Sequence, residues 1–93
     1  MVTESALLLV SQDAESRRAL WNASGVIPGL NAERWRYDHA RLLMKWDEYG
    51  NRASKVGWEI SYVVAPAQGG ADHIDNLHAV AFISGIPFDQ PKA

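Results

Sequence analysis

Hydrophobic and polar positions alternate most regularly at Trp58, Ile60, Tyr62 and Val64, with Glu59, Ser61 and Val63 between them. A period of two predicts a half-buried β-strand. Pro66 closes the run because it has no N–H for a ladder, and Gly69-Gly70 supplies backbone freedom for a loop. Leu77 to Ile83 is a second apolar run rich in strand formers. The stretch from Gly57 to Ile83 therefore reads as strand, wide loop, strand, with the rest of the chain organised around it.

Upstream the pattern changes period. Ser11 is an N-cap for a helix over Gln12–Ala23, with Asp13 and Glu15 in its first turn at the positive end of the dipole. Ala14, Leu20 and Trp21 form its expected buried face, Arg17-Arg18 its solvated one, and Gly25 its stop. Residues 4–10 fit helix or strand equally, since so short an apolar run does not settle its period. Pro28-Gly29 marks a turn. Arg34–Tyr37 and Leu42–Trp46 then read as a hairpin across Asp38–Arg41, with arginines on one face and aromatics on the other. Asp47–Val56 is a polar turn around Gly50-Asn51. The ending SGIPFDQPKA is too rich in proline and glycine for a sustained helix.

The expectation is an α+β fold in a single domain over 1–93, with 84–93 as a tail. Hydrophobic residues make up 47% of the chain, including four Trp, which is enough for a core and argues against disorder. The absence of Cys excludes a disulfide scaffold and a thiolate-ligated metal. Ala6–Val10 is too short for a membrane span and lacks the basic lead-in of a signal peptide, so a cytoplasmic protein with no membrane partner is expected. The net charge of −2 argues against strong general affinity for nucleic acid. Positive charge does gather at Arg34, Arg36, Arg41, Lys45, Arg52 and Lys55, which are the candidate nucleic-acid contacts. Basic residues between aromatics can grip phosphates and stack bases, although the same pattern also describes one wet and one buried strand face.

The central stretch resembles the HNH endonuclease family in its framework. Trp58, Glu59, Ile60, Pro66, Gly69, Gly70, Asp72, Asn76 and Leu77 fall where that family's core pattern places them. Pro28-Gly29, Trp35-Arg36, Asp38 and Trp46-Asp47-Glu48-Tyr49-Gly50 are similar to the lead-in of small bacterial members, so the likeness covers about residues 20–83. Where such proteins often carry Cys-Gly after the aspartate, this chain has Ala40-Arg41.

The resemblance implies a divalent cation held between two strands and a helix, with a histidine deprotonating the attacking water. The family's Asp-His pair is Ser61-Tyr62 here, and its last ligand falls near Ser84-Gly85, followed at once by Ile86-Pro87. A neutral hydroxyl is a poor ligand for a hard cation, and a phenol with an ordinary pKa of about 10 stays protonated near neutral pH. Asn76 survives, in a role that ties the loop to backbone. Asp72 is explained as the acid capping a short turn, and His39 is expected to face solvent.

These residues imply a catalytically inactive HNH-like domain with a truncated or missing final helix and no cofactor. It would act by binding a protein partner, a second copy of itself as a homodimer, or DNA held without cutting, and a phage or mobile-element setting goes with the resemblance. Loss of the helix would uncover apolar surface, for which Ile86, Pro87 and Phe88 offer a cover. The enzyme-class alternative is residual metal-dependent phosphodiesterase activity built from Asp72, His73, Asp75 and His78. A third reading is a purely structural assembly module.

Overall fold

The structure, a computed structural model, describes residues 13–88. The ambiguous run at 4–10, Ser11, and the last part of the tail lie outside them. Among the described residues the fold is α+β. It has one helix, α1 (Ala14–Asn22), and five strands, β1 (Gly25–Val26), β2 (Trp35–Tyr37), β3 (Leu43–Lys45), β4 (Trp58–Tyr62) and β5 (Leu77–Ala81). β1-β2-β3 form one antiparallel sheet, and β4-β5 a second, antiparallel pair. No described helix is long and apolar enough to cross a membrane.

Asp13 rather than Ser11 caps α1. Its side chain accepts from the backbone N–H groups of Glu15 and Ser16, at 3.0 and 3.4 Å, and from the Ser16 hydroxyl at 2.9 Å. These bonds, the Ser16 hydroxyl foremost, hold the Asp13 carboxyl below its ordinary range. Leu20 and Trp21 are buried, whereas Ala14 is exposed because it lies in the first turn, ahead of the contact with the sheets. Gly25 does not end the helix. Ala23 is the C-cap, and Gly25 opens β1 with its Cα against the ring of Tyr37, where any Cβ would overlap the aromatic carbons.

The hairpin forms, with Trp35 facing Lys45, Arg36 facing Met44 and Tyr37 facing Leu43; Leu42 belongs to the turn, so the register lies one residue beyond what a four-residue connection over Asp38–Arg41 implies. Its faces are the reverse of the simple reading. Arg36 lies opposite the fully buried Met44, and its guanidinium turns inward to the carbonyls of Ala32, Asn22 and Ser24 at 2.9–3.0 Å. The last helical carbonyls have no partner within a helix, so an arginine supplying donors there resolves a need that a strand pattern does not show.

The core is a tryptophan cluster between α1 and both sheets. Trp21 lies 5.0 Å from Trp58 and 5.5 Å from Trp46, and Tyr49 meets Trp58 edge-on at 4.9 Å. Met44, Ile60, Leu77 and Ala79 fill the space around the rings. The Trp21 indole N–H donates to the Ala32 carbonyl at 2.9 Å, which satisfies the one polar atom its burial would strand. In β4 the buried positions are Trp58 and Ile60, so the period-two pattern marks the side facing the helix.

Asp38 ties the two sheets together. It is 4% exposed, the one charged residue in the described interior. Its Oδ1 accepts from the N–H groups of Ala40 and Leu42, which shapes the hairpin turn, and its Oδ2 accepts from Ala81 N–H on the free edge of β5, all at 2.9 Å. After β5, residues 83–84 turn and no helix follows among the described residues. Ile86–Phe88 do fold back, but along β3 and not over the β4-β5 pair: Leu43 N–H donates to the Ile86 carbonyl at 2.7 Å, and Phe88 stacks on Tyr37 at 6.2 Å. The unfilled backbone edge of β3 offers hydrogen bonds that the apolar surface of β4-β5 cannot.

Two outcomes are expected. Replacing Asp38 with Ala should cost about 3 kcal/mol in urea unfolding followed by Trp fluorescence, since it strands buried N–H groups. Asn, which retains one carbonyl oxygen, should cost about half of that. For Asp13 the folded-state pKa is lowered, so its contribution is complete above the unfolded value of about 3.9 and is lost as pH falls through the folded one. Circular dichroism between pH 5 and 2 should show α1 losing less to acid in Asp13→Asn than in wild type.

Candidate functional site

The loop between β4 and β5 is pinned by one side chain. Asn76 Nδ2 donates to the carbonyls of Val64 and Ala71, both at 2.8 Å, and its Oδ1 accepts from Val64 N–H at 2.9 Å. Gly70 passes so close to Val64 that a Cβ there would overlap the Val64 carbonyl and crowd the Asn76 amide. A short 3-10 turn, Ile74–Asn76, leads into β5. His73, not Asp72, caps it, with Nδ1 accepting from Asp75 N–H at 3.2 Å. Asp72 instead accepts the Tyr62 hydroxyl at 2.9 Å. An aspartate that takes a phenol proton ten residues away holds the loop against the strand, which local spacing does not reveal.

The residues around Ser61 and Tyr62 do not suit a divalent cation. Ser61 lies across from His78 in the β4-β5 ladder, and Tyr62 points its hydroxyl at the nearest carboxylate. A hard cation needs several carboxylate or carbonyl oxygens around one point. Among the described residues no three His, Asp or Glu side chains converge in that way. Asp72, His73, Asp75 and His78 therefore do not form one ligand set. His73 faces Asp75 at 3.5 Å in an exposed pair, while His78 stacks on a residue from another sheet. Ser84 lies in the exposed turn after β5.

The six basic candidates are largely committed within the molecule. Arg34 pairs with Asp47 at 2.8 Å and Arg52 with Glu59 at 3.1 Å. Arg36 is turned inward. Arg41 and Lys45 lie over the rings of Tyr37 and Trp35, at 4.9 and 5.4 Å, while Lys55 is exposed. Arg17 and Arg18 are not a plain solvated face either. They cover Tyr49 and Trp46 at 4.4 and 3.6 Å, an interaction favoured by the electron-rich ring faces.

The structure also contains a cleft of about 380 Å³ where the end of α1, the hairpin turn and the start of β5 meet. Leu20, Ala23 and Leu77 give it apolar walls, and Tyr37, His39, Arg41 and His78 give it polar ones. His39 is exposed but does not simply face solvent: its ring stacks on His78 at 4.9 Å with 23° between planes. Burial, and then the charge of His39, hold the His78 imidazole below its ordinary pKa, against a smaller upward pull from Asp38 and the Tyr62 backbone. Arg41 has φ of 63°, left-handed backbone that non-glycine residues rarely adopt. The sequence pattern missed this cleft because its parts lie on three separate elements. The unusual Arg at the hairpin tip was its one local sign.

Comparison of the chain with protein-family models, curated proteins and solved structures gives no match.

Asn76→Ala should destabilise the protein by about 2 kcal/mol and speed hydrogen exchange at the Val64 amide. The lowered His78 pKa has a defined sign. The unfolded chain takes up its proton at about pH 6.5 while the folded one resists, so stability falls as pH drops below that value. The unfolding midpoint of His78→Phe, measured from pH 7.5 to 5, should depend less on pH than that of wild type.

Proposed function

We propose that this chain is an HNH-like framework that acts by binding and does not cut nucleic acid. One observation carries the reading. The strand–loop–strand unit is held by Asn76 in the manner the resemblance implies, while the positions for base and ligand hold a phenol bonded to Asp72 and a neutral hydroxyl. Catalysis by this family's chemistry needs a proton acceptor and a cation anchor at that point, and neither group can serve. The turn at residues 83–84 and the return of 86–88 to β3 leave no described segment to supply the last ligand.

A protein surface, a second copy of this chain included, is the preferred occupant. Exposed apolar side chains at Val63, Val64 and Ile83 flank the β4-β5 pair, and such residues favour protein contacts over phosphate ones. A DNA backbone would have to displace Asp47 from Arg34 and Glu59 from Arg52 to gain those charges. The net charge of −2 adds no long-range attraction.

Plasmid nicking in Mg, Mn, Ni or Zn should be no faster than buffer, and a His73→Ala/His78→Ala double variant should behave identically. Metal-dependent cutting that this double change abolishes would sink the binding reading. Ser61→Asp with Tyr62→His should not restore cleavage either, because the final ligand is still missing. Light scattering after size exclusion separates self-association from a monomer seeking another partner. A DNA shift assay across salt concentrations would show any backbone affinity as a steep salt dependence.

A further inference from the structure

The cleft beside the His39–His78 stack adjoins Ser61, the ladder partner of His78, but its chemistry can be read independently of any family. We propose that it binds a small phosphomonoester carrying a planar ring, of about mononucleotide size. Its volume of about 380 Å³ falls in the range of small-ligand pockets, with apolar walls and a few converging polar groups.

The polar groups select an anion. His39, Arg41 and His78 line one cavity, and the acid among them, Asp38, already accepts three backbone N–H groups. Those bonds occupy both carboxylate oxygens, although the charge still acts on His78. Imidazolium and guanidinium donors suit phosphate oxygens, through short charge-assisted bonds. The outer faces of the stacked His39 and His78 rings supply flat surfaces on which a planar group can stack.

Arg41 strengthens the case. A left-handed φ of 63° suits glycine, and an arginine there holds a strained backbone. Asp38 fixes the turn that imposes this geometry, through Arg41 N–H to the Asp38 carbonyl at 2.9 Å as well as through its carboxylate. The strain places a guanidinium at the cleft mouth, over Tyr37.

Binding should depend on pH, with a sign opposite to that of stability. The groups facing the two imidazoles are Tyr37, Asp38 and Arg41 from the hairpin and Ser61 with the Tyr62 backbone from β4; α1 contributes Leu20 and the turn after it Ala23 and Ser24, none of which titrates. A phosphate dianion favours the charged His78 imidazole, so affinity rises as pH falls toward its lowered pKa and declines again once the phosphate becomes a monoanion.

The test is NMR titration of the full chain with adenosine monophosphate, observing the imidazole resonances of His39 and His78. Both should shift at pH 6, with affinity about tenfold weaker at pH 8, and unphosphorylated adenosine should bind at least tenfold more weakly. His78→Phe keeps a ring for the stack but removes its charge and should weaken binding about tenfold. Arg41→Gly relieves the backbone strain, so it should fold at least as stably as wild type while losing a similar factor. Oligonucleotides with and without a 5′-phosphate identify the source of the group: competition by the phosphorylated one alone assigns the site to a strand end, and no competition by either assigns it to a free nucleotide. Unmoved imidazole resonances at roughly 10 mM probe, where a millimolar site is mostly filled, would overturn the proposal. So would nucleotide binding that neither variant alters.

Discussion

A single buried carboxylate ties the hairpin turn to the edge of β5, at the junction of two small sheets. Asp38 accepts N–H groups from its own turn and from the edge of β5, so the hairpin and the β4-β5 pair are held in one register. Apolar packing is non-directional and would tolerate a slip between the sheets; a directed bond from Ala81 N–H to a charge that two turn N–H groups hold in place does not. A strand of three residues is also too short to specify its own place. The tryptophan cluster supplies most of the favourable burial, and the carboxylate decides where that burial leaves each strand.

Both regions of chemical interest depend on this junction. The cleft exists because the turn bearing His39 and Arg41 is drawn against the strand bearing His78. Ser61 pairs with His78 and so shares the cleft's face of β4-β5, while the loop between the strands is held by Asn76. Around that loop the groups that act are structural: an amide that bonds three backbone atoms and a phenol that donates to an aspartate. Charge on the molecule follows the same economy, with guanidiniums resting on aromatic faces or on carbonyls at the helix end.

Much of this was legible in the sequence, for reasons that can be named. The strand at Trp58–Tyr62 announced itself because alternate burial is a property of the strand alone. The hairpin itself followed from two short runs around a turn, and the loop residue Asn76 from the family resemblance. These features depend on neighbours within a dozen residues. The cap at Asp13 was missed by two positions because Ser and Asp satisfy helix N–H groups equally well on paper, and only the path of the chain chooses between them.

What tertiary structure alone decided is which side of each element faces inward and which distant residues meet. Arg36 reads as a wet-face residue until the end of α1 arrives with carbonyls to fill. Tyr62 reads as a vacated position until Asp72 is brought to its hydroxyl, and His39 as a surface residue until β5 lays His78 against it. The sequence determined the α+β elements because period and turn chemistry are written locally. The cleft and the junction required the folded chain, because each is a meeting of groups from separate elements that no local pattern records.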